Sequence, residues 1–124
     1  MLAPAHRMRR SADFAAVVRT GARSRRGSLV VHQVVDLTDG PAIVGLVVGR
    51  SVGGSVVRHR VSRRLRAQLA GRLQLLPAGS GTVVRALPPA STATSAEFGR
   101  DLDAAFTRLL DVRRSAPRPA GAGR

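Results

Sequence analysis

The segment Arg50 to Arg66, RSVGGSVVRHRVSRRLR, places six arginines within seventeen residues and no acidic residue among them. These residues predict a helix with Ser55 as N-cap, running to about Leu76, where Pro77 and Gly79 stop it. At about 100° per residue, Val57, Val61, Leu65, Leu69, Leu73 and Leu76 form one apolar stripe, and His59, Arg60, Arg63, Arg64 and Arg66 fall on the opposite arc. Arg58 projects nearer the apolar side, but from the first turn its long side chain can reach past the helix end. Any fold of this chain must bury the stripe and leave the arc to solvent or to a partner.

A solvated helix face usually mixes Glu with Arg or Lys, because opposite charges four residues apart support a helix and like charges repel. Here Arg60 and Arg64 form a repelling pair, His59 and Arg63 form another whenever His59 is protonated, and no Glu relieves either. That repulsion points to an anionic partner. Free N–H groups at the helix start, and the Gly53-Gly54 lead-in, let an anion approach closely. The net charge of +14 and the pI near 12.0 agree, and make nucleic acid the leading partner class. All 21 basic residues are arginine, the side chain best suited to bidentate phosphate contacts, although an Arg, Ala, Gly and Val excess also reflects GC-rich coding.

A chain of 124 residues fits one domain, expected over residues 1–112 with a basic arm at 1–10, followed by a disordered basic tail at 113–124. Cysteine is absent, which removes disulfides, thiol nucleophiles and zinc–thiolate sites. The N-terminus lacks an apolar secretory core and no apolar run approaches the ~20 residues of a membrane span. The expectation is a cytoplasmic protein with no membrane partner and no small-molecule substrate.

Along the chain, Ser11 reads as an N-cap with Asp13 in the first turn, and Phe14, Val17 and Val18 take helical spacing up to Gly21. Arg23, Arg25 and Arg26 read as a loop. A strand is predicted from Ser28 to Leu37, and the turn Asp39-Gly40-Pro41 leads into a second at Ala42 to Val48, making an antiparallel hairpin. A third strand is expected at Thr82 to Leu87. Thr94 and Glu97 form a capping box for a last helix bearing Phe98, Leu102, Phe106 and Leu109. The sum is an α+β protein, a two-layer α/β sandwich with a small mixed sheet and three helices. Its order is αββαβα, with room for one further short strand.

Catalytic motifs fare poorly. Gly49-Arg50-Ser51-Val52-Gly53 matches the G-x-S-x-G nucleophile elbow, yet the one later histidine, His59, follows by eight residues with no acid between. A P-loop needs lysine, which is absent. A protein-based metal nuclease needs converging carboxylates or histidines. The seven acids and the histidines His6, His32 and His59 are scattered, so no catalytic and no metal-ligating residue is assigned.

The arginine segment resembles the protein subunit of bacterial ribonuclease P. That family's motif runs basic-x-x-Gly-x-Ala-Val-x-Arg-Asn-Arg-x-Lys-Arg-x-x-Arg. This chain has Arg50, Gly53, Ser55, Val56, Arg58, His59, Arg60, Ser62, Arg63 and Arg66 at the corresponding places. HRMRRSADFAAVVRTG near the start, and VVRALP with the last helix, extend the likeness over residues 6–110. The resemblance implies a sheet of about four strands with an unusual left-handed βαβ crossover at the arginine helix. It implies a subunit of an endoribonuclease that binds a catalytic RNA and helps remove the 5′ leader of precursor tRNA. It implies that the catalytic centre and its Mg²⁺ lie with the RNA, so that no cofactor is expected on identifiable residues of this chain. The implied RNA contacts are Arg50, Arg58, His59, Arg60, Arg63 and Arg66, with Arg64 added from its place on the arc. The implied leader cleft is lined by Arg7, Phe14, Val18 and His32. Ser55, His59, Ser62 and Val18 depart from the family pattern; Val18 replaces an aromatic residue and so offers less stacking surface. A general RNA-binding protein with the same arginine face is the competing expectation.

Overall fold

The computed structural model describes residues 3–115, and the side chains of residues 3–113. Three helices, α1 (Ser11–Thr20), α2 (Ser55–Ala70) and α3 (Ser95–Ser115), pack on a sheet of β1 (Ala22–Arg26), β2 (Leu29–Val34), β3 (Ile43–Val47) and β4 (Gly81–Ala86). The strand order is β1-β2-β4-β3. β4 lies antiparallel to β2 and parallel to β3, so the sheet is mixed and α2 is the crossover between the parallel neighbours.

The antiparallel hairpin expected between the Ser28–Leu37 and Ala42–Val48 stretches does not form. β2 takes β1 as its hairpin partner instead, through a tight turn in which Gly27 has φ +53°, a left-handed conformation that glycine adopts without penalty. The expected loop at Arg23, Arg25 and Arg26 is therefore the further strand, hidden in the sequence because arginine and serine alternate where β-branched residues usually signal a strand. β4 then inserts between β2 and β3, and the link after β2 is held by Leu37 and Thr38 N–H groups donating to the Gly79 carbonyl at 2.9 and 3.0 Å.

The two faces of the sheet bury different clusters. Leu29, Val31, Val84, Val44 and Ala86 face Val61, Leu65 and Leu69 of α2 and Phe98, Leu102 and Leu109 of α3, and form the main core. Each such fully buried side chain contributes roughly 1.5–3 kcal/mol relative to exposure. On the other face a smaller cluster gathers Met8, Val17 and Val83, flanked by Phe14, Val34, Leu37 and Ile43. α1 lies close here because Gly45 leaves room for it: a Cβ at that position would collide with the Phe14 ring.

Helix ends differ from expectation in three places. Gly54, not Ser55, caps α2, and Arg10, not Ser11, caps α1, neither with a side-chain hydrogen bond. α2 ends at Ala70 before Gly71; Leu73–Leu75 form a separate 3-10 turn, and Leu76 still reaches the core. The Thr94–Glu97 capping box forms as the sequence suggests, with Glu97 N–H donating to Thr94 Oγ1 at 3.1 Å and Thr94 N–H donating to Glu97 Oε1 at 2.9 Å. Those bonds hold the Glu97 carboxyl below its ordinary range.

The N-terminal segment is docked on the fold. Pro4–His6 form a 3-10 turn, Arg7 bridges Val44 in parallel, and Met8 N–H donates to the Val44 carbonyl at 2.9 Å while its side chain is buried. α3 continues through Ser115, past residue 113 where the tail was expected to begin; the rest of that tail lies outside the described residues.

Candidate nucleic-acid interface

α2 carries its arginines in two different states. His59, Arg63 and Arg66 are exposed, and so is Arg50 in the turn that precedes the helix. Arg60 and Arg64 are half-buried: Arg60 Nη2 donates to the Ser91 carbonyl and Arg64 Nη1 to the Ala93 carbonyl, each at 2.8 Å. The predicted arc is thus split. Its flank toward α3 is used to hold the Pro88–Thr92 turn and the entry to α3, and those carbonyls relieve the Arg60–Arg64 repulsion without any acid. Arg58 is half-buried, with Nε enclosed and without a hydrogen-bond partner, so its stem lies along the fold.

Arg72, just beyond α2, donates from Nε and Nη2 to Asp103 of α3 at 2.7 and 3.1 Å, and from Nη1 to Gln68. The paired guanidinium holds the Asp103 carboxyl below its usual range. This ion pair therefore ties α2 to α3 and takes Arg72 out of any binding surface.

The four cleft residues are divided as well. Arg7 and Phe14 share a hollow of about 170 Å³ with Gly45 and with Arg66 of α2, at the β3 edge. His32 lies on the same side of the sheet, because His32 pairs with Val83 and Val83 with Gly45. It sits on β2, away from that hollow. Val18 is 41% exposed on α1. The same sheet side also carries Arg23 and Arg25 of β1 and Arg85 of β4, all exposed, around a floor of Val30 and His32. Arg85 was missed in the sequence. A lone cation inside the apolar run VVRAL was the available signal, since alternation puts it on the open side of a strand whose neighbours are buried.

His32 is 3% exposed, and neither ring nitrogen has a hydrogen-bond partner. Burial first, and then the Arg85 and Arg23 charges, lower its pKa from the ordinary 6.5. The folded protein therefore holds fewer protons here than the unfolded chain. Stability is full above that ordinary value and declines as pH falls through it toward the lowered one. Urea melts at pH 7 and pH 5 are expected to show this loss, and His32→Leu is expected to reduce it; an equal loss in the variant would assign it elsewhere.

Among the described residues no group of three His, Cys, Asp or Glu side chains is placed to hold a metal ion. Glu97 is engaged in its cap and Asp103 in its ion pair with Arg72. Ser51 of the G-x-S-x-G match is exposed in a tight turn between β3 and α2, in which Val52 N–H donates to the Gly49 carbonyl. No helix of the described residues is long and apolar enough to cross a membrane.

Fold and surface together define a small basic α+β domain with a mixed four-stranded sheet, an arginine-bearing crossover helix and an arginine-rimmed sheet face. Comparison with known proteins narrows this class. The family model described as Ribonuclease P matches residues 2–110. The ribonuclease P protein component of Beutenbergia cavernae is 51% identical over 109 residues, covering 88% of this chain and 92% of the relative. That of Streptomyces bikiniensis is 49% identical over 118 residues, covering 89% and 96%. This chain belongs to the ribonuclease P protein family. The fold agrees with the solved RNase P proteins of Staphylococcus aureus (TM-score 0.73, 21% identity, 89% of this chain and 96% of that one) and Thermotoga maritima (TM-score 0.66, 21% identity, 90% and 98%).

Proposed function

We propose that this chain binds the RNA of ribonuclease P through the outward face of α2 and the 5′ leader of precursor tRNA along the α1 side of the sheet. The observation that carries this reading is a set of exposed basic side chains, Arg50, His59, Arg63 and Arg66, with no acidic partner among the described residues, in a chain of this family. Guanidinium groups there neutralise phosphates and release counterions. Arg23, Arg25 and Arg85 give the leader a second cationic track, with Arg7, Phe14 and Val18 beside it on the arm and α1. Mg²⁺ and the hydrolysis of the phosphodiester are assigned to the RNA subunit, and the work to the cytoplasm.

The protein's contribution is electrostatic and positional: it lowers the repulsion between two polyanions and fixes the leader relative to the RNA. The test is reconstitution. Ribonuclease P RNA with this chain is expected to cleave precursor tRNA at a Mg²⁺ concentration at which the RNA alone is nearly inactive. No gain on adding the chain would favour a general RNA-binding role.

A further inference from the structure

Val56 is 78% exposed, the most exposed of the large apolar side chains among the described residues, against 55% for Leu75, 41% for Val18 and 37% for Val47. It does not lie on a neutral surface. Val56 is on the outward side of α2, flanked by His59, Arg60 and Arg63, and together with Ser55 these side chains line a hollow of about 480 Å³. Arg60 forms a fixed wall of it, because the Ser91 carbonyl holds its guanidinium. His59 and Arg63 are exposed and face the same space.

A row of phosphates needs only N–H donors, and gains nothing from two valine methyl groups set among them. An unpaired nucleotide uses both. Its base or ribose has an apolar face to lay on methyls and on an imidazole, and its flanking phosphates call for guanidinium groups on either side. A paired A-form helix offers its phosphates and 2′-hydroxyls but keeps its base faces stacked inside.

We infer that the Val56 hollow seats an unpaired nucleotide of the RNA partner, with the base or ribose against Val56 and His59 and the adjoining phosphates on Arg63 and Arg60. A cationic rim without an acid favours RNA over an apolar protein segment as the occupant. This assignment rests on the RNA-binding role proposed above, and it names the ligand chemistry at one point of that surface.

The test uses Val56→Thr, which keeps the shape and β-branching and replaces a methyl by a hydroxyl, and Val56→Ile, which extends the apolar surface. Each full-length variant is titrated with ribonuclease P RNA and with a fully paired RNA duplex. Val56→Thr is expected to weaken binding to ribonuclease P RNA roughly four- to tenfold, from one lost methyl contact and a stranded hydroxyl. Its duplex affinity and the salt dependence of binding should stay as in the parent chain, and Val56→Ile should bind at least as tightly as the parent. Unchanged binding of Val56→Thr to ribonuclease P RNA, or an equal loss on the duplex, overturns the inference. A parent chain that binds the duplex as tightly as ribonuclease P RNA overturns the functional reading itself, and the inference with it.

Discussion

Replacing Arg63 and Arg66 together by alanine is expected to weaken binding to ribonuclease P RNA by on the order of a hundredfold, taking about tenfold for each charge-assisted phosphate contact. The slope of log affinity against log salt should flatten by about 1.5, the amount two phosphate contacts contribute. The melting temperature should not move, since both side chains are exposed and neither has a hydrogen bond to the rest of the described fold. Arg60→Ala with Arg64→Ala should behave differently. These two guanidinium groups hold the Ser91 and Ala93 carbonyls, so their loss strands acceptors and frees the turn that leads into α3. A destabilisation of roughly 2–3 kcal/mol is expected from two half-buried charge-assisted bonds, with a smaller effect on the salt slope. Filter binding over a salt series and urea melts of both double variants separate the two roles. Equal slopes and equal stabilities would show that the ridge is not divided.

Gly45→Ala is expected to destabilise the protein by about 2 kcal/mol, the usual range for forcing a methyl group into a packed contact. The added carbon would collide with the Phe14 ring, so α1 must lift from the sheet. Phe14→Ala removes the obstacle. Combined with Gly45→Ala, it should give a protein more stable than the sum of the two single losses implies, with a coupling of at least about 1 kcal/mol. Strictly additive losses would mean that the ring sidesteps and that this contact does not set the distance of α1 from the sheet. That distance matters because Arg7, Phe14 and Gly45 line one hollow with Arg66, where the arm, α1 and the arginine helix converge on the β3 edge.

How much of this was legible in the sequence depends on whether one element or two decide a residue's role. The apolar stripe of α2 was readable because Val61, Leu65 and Leu69 keep helical spacing, and all three are buried. The Thr94–Glu97 cap was readable for the same local reason. Strand pairing was not. Nothing local in Leu29–Val34 says that its hairpin partner precedes it, because that partner is arginine-rich and its turn is a single left-handed glycine. The split of the cationic arc was hidden likewise. The carbonyls that engage Arg60 and Arg64 come from residues 91 and 93, about thirty positions on, and backbone acceptors leave no mark in a sequence. His32 could be placed in a strand by pattern, but its lowered pKa comes first from burial under the assembled fold and then from Arg85 and Arg23 on the two flanking strands. Arg23, Arg25 and Arg85 became a shared surface only once β1, β2 and β4 were seen side by side.

The central claim is that two separate cationic surfaces serve two different RNAs, the α2 face the RNA subunit and the open sheet face the substrate leader. It is tested most directly by measuring how tightly the assembled holoenzyme binds precursor tRNA with and without its leader, using Arg85→Ala and Arg63→Ala. Arg85→Ala should erase the preference for the leader-bearing substrate while ribonuclease P RNA binds as before, and Arg63→Ala should weaken assembly with that RNA while the assembled complex keeps its preference. If either substitution changes both affinities in equal proportion, the two surfaces are one and the claim is contradicted.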